Sequence, residues 1–249
     1  MSHKINIEIC ETQDDVALLA AGKITTLVRN NPQSILGLST GATPIPTYEE
    51  IIRAHRKNAV SFAEACTFNL DEYWGLGSDH PQSYRQFMNS RLFDHIDIPL
   101  WNTHLLNGKA ASPQLECQSF EASILARGGI DLWLLGIGVN GHIAFNEPGS
   151  PVSSRTRLVE LSKDSIKANS RFFDSVDQVP QYAISVGVAT ILEARTILLL
   201  ATGNNKANAV ARALSDPPGS DCPASFLQSH PDCTFIVDRS VGSRIETHH

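Results

Sequence analysis

The sequence predicts an α/β protein: a doubly wound, mainly parallel sheet with helices on both faces, built as a single domain over residues 1–249. Three observations carry this. Short apolar runs alternate with stretches of helical spacing along the whole chain. Several of those runs end in glycine-rich or polar turns, as strands do when they feed a helix. No internal repeat, linker or low-complexity tract divides the 249 residues.

Residues 5–10 read as a short strand. Residues 13–30 carry Val16, Leu18, Leu19, Ile24, Leu27 and Val28 at helical spacing. Residues 34–38 form a buried strand, 40–44 a turn and 48–55 a helix. Residues 66–70 form a strand that Asp71 and Glu72 close, and 84–95 a helix. A helix over 115–127 precedes a strand over 130–135. Residues 146–182 are polar, dotted with proline and carry no assignable element. Beyond them come a helix over 184–192, an apolar strand over 196–201, helices over 206–214 and 224–229, and a last strand over 234–237.

Hydrophobic residues at 42% and charged residues at 18% are ordinary for a globular protein, and the net charge of −6 argues against a nucleic-acid partner. An anionic substrate stays open, since a local basic pocket suffices. Cys10, Cys66, Cys117, Cys222 and Cys233 are scattered, odd in number and contain no CxxC pair. Reduced thiols in a cytoplasmic protein fit this better than a disulfide framework or a zinc site. The first residues lack an apolar signal core, and no stretch reaches the roughly 20 apolar residues of a membrane span.

In such folds a ligand sits beyond the carboxyl ends of the strands. Four strand ends carry unusual chemistry. The segment Thr40-Gly41-Ala42-Thr43-Pro44 offers close backbone approach, hydroxyl donors and a helix start, which suits a phosphate or an ordinary helix cap. Asp71 and Glu72 are neighbours on an extended chain, so only one readily faces a pocket; a desolvated carboxylate there is a general-base candidate, a capping carboxylate its plain alternative. The run Gly136-Ile137-Gly138-Val139-Asn140-Gly141-His142 leads to Glu147. There His142 is placed to relay protons, Glu147 to fix its tautomer and Asn140 to orient either one. Lys206, past a Gly-Asn-Asn turn, and Arg171 are phosphate-clamp candidates. The glycine spacing at 136, 138 and 141 matches a dinucleotide loop, but Asn146-Glu147-Pro148-Gly149-Ser150-Pro151 follows where that fingerprint needs a helix. A metal site lacks an obvious third ligand.

At these residues the chain resembles the glucosamine-6-phosphate deaminase (glucosamine-6-phosphate isomerase) family over nearly its whole length. The resemblance rests on Leu38-Ser39-Thr40-Gly41-Ala42-Thr43-Pro44, Phe68-Asn69-Leu70-Asp71-Glu72-Tyr73, the run from Leu135 through Asn146-Glu147-Pro148-Gly149, Ser154-Arg155-Thr156-Arg157 and Asn169-Ser170-Arg171-Phe172-Phe173. It implies a cofactor-free reaction in which glucosamine 6-phosphate and water give fructose 6-phosphate and ammonia. It implies that Asp71 moves a proton between C2 and C1, and that His142 opens the ring with Glu147 and Asn140 in support. Thr40, Gly41, Ala42, Thr43 and Lys206 fall on phosphate contacts, Arg171 on a substrate contact, and the stretch from about 160 to 182 on a mobile lid.

Two departures follow. Many relatives carry aspartate where this chain has Asn140, so Glu147 alone balances a protonated His142. Regulated members use a basic residue where Val159 stands and extend further at the C-terminus, which predicts weak or absent activation by N-acetylglucosamine 6-phosphate. The family includes monomers and hexamers, so a homo-oligomer is open. Competing readings are a galactosamine-6-phosphate deaminase, which Gly41-Ala42-Thr43 and Pro223-Ala224-Ser225-Phe226 resemble while Ser170-Arg171-Phe172-Phe173 resembles the glucosamine branch, a 6-phosphogluconolactonase-like hydrolase, and a sugar-phosphate sensor without turnover. The run Ile143-Ala144-Phe145-Asn146-Glu147-Pro148 departs from the lactonase pattern, and the presence of Asp71, His142 and Glu147 weighs against a sensor.

Overall fold

Apolar runs without a polar break make strands that are buried on both faces. In the computed structural model, which describes residues 5–162, 165–167, 170, 173 and 175–245, seven strands form one parallel sheet, the central three of this kind. The seven are β1 (Asn6–Cys10), β2 (Ile35–Leu38), β3 (Cys66–Asn69), β5 (Thr103–His104), β6 (Leu132–Gly136), β9 (Thr196–Ala201) and β10 (Cys233–Asp238), in the order β1-β10-β9-β6-β2-β3-β5. A second, antiparallel sheet is built from β4 (Asp71–Tyr73), β8 (Tyr182–Ser185) and β7 (Arg157–Glu160), with β8 in the middle.

Successive residues of one strand feed two different cores. Leu132 and Leu134 face a core with Val16, Ala20, Ile24 and Val28 of α1 (Gln13–Asn30), Tyr48, Ile51 and Ile52 of α2 (Ile45–Arg56) and Met88 of α3 (Tyr84–Arg91). Trp133 and Leu135 face the other core, with Phe120 and Ile124 of α4 (Pro113–Ala126), Ile191 of α5 (Val188–Leu192), Val210 of α6 (Ala207–Ser215) and Val241 of α7 (Arg239–Ile245). Gly37 sits opposite Trp133 in the β2–β6 pairing, and a Cβ there would lie 1.7 Å from the indole ring. Only glycine leaves room for that fully buried tryptophan. At the start of α1, Thr12 and Asp15 form a reciprocal capping box, the Thr12 hydroxyl accepting from the Asp15 N–H at 3.1 Å.

The doubly wound expectation holds, with three corrections. Residues 184–192 are not one helix: Tyr182–Ser185 is a strand, Gly187 turns the chain, and only Val188–Leu192 is helical. A Cβ on Gly187 would lie 2.1 Å from the Ser154 carbonyl oxygen, so the turn is fixed by close backbone approach rather than by periodicity. Asp71 and Glu72 do not close β3; they open β4, whose partner is β8. The 84–95 helix ends at Arg91 and a 3-10 turn covers Phe93–His95. The short β5, β7 and the C-terminal α7 had no sequence assignment.

The chain leaves β2 toward β3 and β6 toward β9, in opposite directions across the sheet. The carboxyl ends of β2 and β6 are therefore the crevice where such folds hold ligands. The second sheet begins there too, since only Leu70 separates β3 from β4.

Candidate active site

Asp71 and Glu72 part company as their alternation requires. Glu72 is buried and accepts hydrogen bonds from the N–H groups of Tyr73 (2.9 Å), Tyr84 (3.0 Å) and Arg85 (3.1 Å), and so caps the start of α3. Burial pushes its carboxyl up to about 7 in spite of those donors. The Asp71 carboxylate is 7% exposed and makes no side-chain hydrogen bond among the described residues. Burial first, and the neighbouring Glu72 charge second, push it up to about 8. A carboxyl so placed holds or releases a proton near neutral pH.

The loop after β6 is folded on itself. The Gly138 N–H donates to the His142 carbonyl at 2.8 Å, and the Gly141 N–H donates to the Gly138 carbonyl at 3.0 Å. Gly138 is a glycine for a local reason: a Cβ there would lie 2.3 Å from the His142 ring. The imidazole thus rests on bare backbone. Its Nδ1 stands 3.4 Å from Glu147 Oε2, within ion-pair reach, with the His142 side chain 28% exposed. Asn140 touches both partners: its Nδ2 donates to Glu147 Oε2 at 2.7 Å, and its Oδ1 accepts from the His142 N–H at 3.2 Å. The other oxygen of Glu147 accepts from the hydroxyls of Ser165 (2.5 Å) and Ser162 (3.1 Å). Burial would raise this carboxyl, but His142, Ser165 and Asn140 outweigh it and hold it down at about 2.

The strand β8 ties the two carboxylates to one frame. Ser185 pairs with Asp71 in the β4–β8 register, and its hydroxyl accepts from the Phe145 N–H at 3.0 Å. The Asn146 side chain donates to the Val186 carbonyl (2.8 Å) and the Ile143 carbonyl (2.9 Å) and accepts from Arg157 (2.8 Å), so the turn containing Ala144, with φ of +51°, is fully held. Aromatic contacts close the same space. Tyr84 stacks on Phe145 at 6.3 Å, and Tyr73 meets Tyr84, Phe145 and Phe173.

The phosphate candidates lie at the crevice. Thr40 and Thr43 are half-buried, while Gly41 (φ +96°) and Ala42 are exposed and line a cleft of about 820 Å³ that also reaches Tyr73 and Phe173. Lys206 donates from Nζ to the Ile137 carbonyl at 2.7 Å, so it leans over the β6 loop, and burial lowers its pKa. Arg171 lies outside the described residues. Among the described residues no group of three His, Cys, Asp or Glu side chains is placed to hold a metal ion.

A family model described as glucosamine-6-phosphate isomerases/6-phosphogluconolactonase matches residues 10–236. The chain belongs to this isomerase/lactonase family. It is 51% identical over 233 residues to glucosamine-6-phosphate deaminase 2 of Giardia intestinalis, across 93% of this chain and 89% of that protein. A solved monomeric glucosamine-6-phosphate deaminase matches with a TM-score of 0.94 and 42% identity, over 96% of this chain and 100% of that one. The solved 6-phosphogluconolactonase of Trypanosoma cruzi matches at a TM-score of 0.74 and 22% identity, over 98% and 97% of the two chains, and shares the fold.

Within this member of the isomerase/lactonase family, the structure brings Asn140, His142 and Glu147 into one hydrogen-bonded group and hangs Asp71 on the neighbouring strand. Sequence reasoning missed Ser162, Ser165 and Ser185, and it quoted Asn146 without giving it a role. What marks Asn146 is burial, which only the fold supplies: an amide with no exposure must find partners for all its polar atoms. The serines gave none, being common in polar stretches.

Proposed function

We propose that the chain catalyses the isomerising deamination of glucosamine 6-phosphate, with water, to fructose 6-phosphate and ammonia. The observation that carries this reading is the contrast of two carboxylates whose segments meet at Ser185 of β8: an unbonded Asp71 on β4 that exchanges a proton near neutral pH, and a Glu147 in the loop after β6 kept charged beside His142. The curated relatives at about half identity carry the deaminase name, which supports the same reading.

The chemistry needs each group in turn. The closed pyranose hides its carbonyl, so it must open first. His142 moves the proton between the C1 hydroxyl and the ring oxygen, and the Glu147 charge stabilises the imidazolium that forms in passing. The exposed aldehyde acidifies C2. Asp71 takes that proton, giving an enolamine, and returns it at C1, giving a 2-imine. Water adds at C2 and ammonia leaves. Every step moves protons or adds water, so no electron carrier enters the balance. Thr40, Gly41, Ala42 and Thr43 offer the phosphate backbone and hydroxyl donors, and Lys206 and Arg171 offer charge, so binding energy positions the reacting carbons. The stretch 160–182, part of which lies outside the described residues, acts as a lid of a single domain; its described residues Leu161, Ile166 and Phe173 pack beside Tyr73 and Phe145. A cytoplasmic location suits the five free cysteines.

The test is ammonia release from glucosamine 6-phosphate and galactosamine 6-phosphate, side by side, with no metal or nucleotide added. Turnover of the glucosamine compound is expected. Turnover of the galactosamine compound alone would move the assignment to the C4 epimer, and binding of both without ammonia would make the protein a sensor.

A further inference from the structure

The deaminase reading uses one oxygen of Glu147 and leaves the other unexplained. Oε2 faces His142 and Asn140. Oε1 is turned away from the imidazole and accepts from the Ser165 hydroxyl at 2.5 Å and the Ser162 hydroxyl at 3.1 Å. The two serines also hold each other: Ser162 Oγ lies 3.0 Å from Ser165 Oγ and accepts from the Ser165 N–H at 3.1 Å. Ser165 is 8% exposed. Both sit where the chain leaves β7, beside Leu161 and Ile166, which pack with Tyr73 and Phe145. This is a built polar contact between the root of the 160–182 stretch and the proton-relay group, and nothing in the Asp71 chemistry calls for it.

A glutamate carboxylate turns easily about its last torsion, whose energy profile is broad and roughly two-fold. Fixing one oxygen fixes the other. Hydroxyl donors also favour the ionised carboxylate over the acid. We propose that Ser165, steadied by Ser162, is a positioning residue for ring opening: it sets which Glu147 oxygen faces His142 and keeps that carboxylate charged while the imidazole carries a proton. The proposal rests on the reading that His142 opens the ring.

The test uses the full chain and glucosamine 6-phosphate carrying deuterium at C2. Ser165→Ala is expected to lower kcat about tenfold, the equivalent of about 1.4 kcal/mol, with KM within threefold. Ser165→Thr, which keeps the hydroxyl, is expected to restore most of the rate. Because the loss falls on ring opening, the C2-deuterium isotope effect on kcat should drop toward one, or stay at one if opening already limits the wild type. A rate unchanged within twofold overturns the proposal. So does a lowered rate with a retained or larger isotope effect, because the damage then lies at the Asp71 step. His142→Gln is run in parallel. If it alone suppresses the isotope effect, the Ser165 assignment fails and the His142 reading survives. If it leaves turnover intact, the His142 reading fails.

Discussion

Asp71 on β4 and Glu147 in the loop after β6 belong to segments that Ser185 of β8 joins, and they sit at opposite ends of the acid–base range. Asp71 is pushed up to about 8, Glu147 held down at about 2. Depth alone does not make this difference, since both carboxyls are at least partly withdrawn from water. Donors make it. Glu147 gathers His142, Asn140, Ser162 and Ser165, whereas Asp71 has no side-chain partner among the described residues and a second carboxylate next door. Desolvation raises any buried carboxyl, and hydrogen bonds to the charged form reverse that. Two carboxylates pushed apart in this way take different jobs: one gains and loses a proton, the other never accepts it. Glu72 shows the intermediate case, with three backbone donors and a value of about 7.

The largest effect should come from Asp71→Asn. Turnover should fall by roughly 10³-fold or more, while binding of the sugar phosphate persists. Stability should move the other way. The folded-state value near 8 lies above the ordinary 3.8, so the stabilising contribution of the neutral carboxyl is present below pH 3.8 and lost as pH rises through about 8. The asparagine form escapes that loss and should show a higher Tm than wild type at pH 9, with the gap narrowing toward pH 5. The same value requires kcat/KM of the wild type to climb with pH and level off near 8. An acid limb near pH 4 would show that burial and Glu72 do not hold the Asp71 carboxyl above its ordinary range.

Glu147→Gln should cost less, roughly 10²-fold in kcat, because the imidazole stays in place and loses its counter-charge. Here the sign reverses. A carboxyl held near 2 contributes stability above its ordinary 4.5 that is lost as pH falls toward 2. The variant should therefore melt below wild type at pH 7 and approach it near pH 3. A variant as stable as wild type at pH 7 would mean that the donors around Glu147 are not holding a charge.

How far this contrast is legible in the sequence follows from the local structure of each residue. The strand ends were readable, because apolar runs stop abruptly at Thr40, Asp71 and Gly136. Carboxyl ends of parallel strands share one side of a sheet, so Asp71, Asn140, His142 and Glu147 are expected on that side from the sequence alone. The second sheet was not readable. β4 has three residues, β7 half-buries alternate positions, and β8 runs on through Gly187 into a true helix, so Ile184, Val188, Ile191 and Leu192 share a helical period across the break. Yet β8 is what joins the Asp71 strand to the His142 loop, through Ser185. Gly138 was legible as a glycine but not as a rest for the imidazole, since the ring that covers it comes four residues later. Ser162 and Ser165 had no signal at all: a serine becomes a donor to Glu147 only through where the chain is carried after β7.

The smallest expected effect is that of Asn140→Asp, and it sharpens the contrast most finely. Asparagine donates to Glu147 Oε2 at 2.7 Å and accepts from the His142 N–H. Aspartate keeps the acceptor and loses the donor, leaving two carboxylates in contact. They cannot both stay ionised cheaply, so one holds a proton over a wider pH range or the pair leans on His142 for it. At pH 8 the turnover should stay within tenfold of wild type, because the proton they share or the imidazolium restores the missing donor. Toward lower pH, kcat should fall earlier than in wild type, since Glu147 is no longer held so far down. A pH profile of kcat for the two forms measures this shift directly. If Asn140→Asp instead loses as much rate as Glu147→Gln across the whole range, the amide is an indispensable member of the relay rather than its support, and the division of labour between the two carboxylates must be redrawn around three groups.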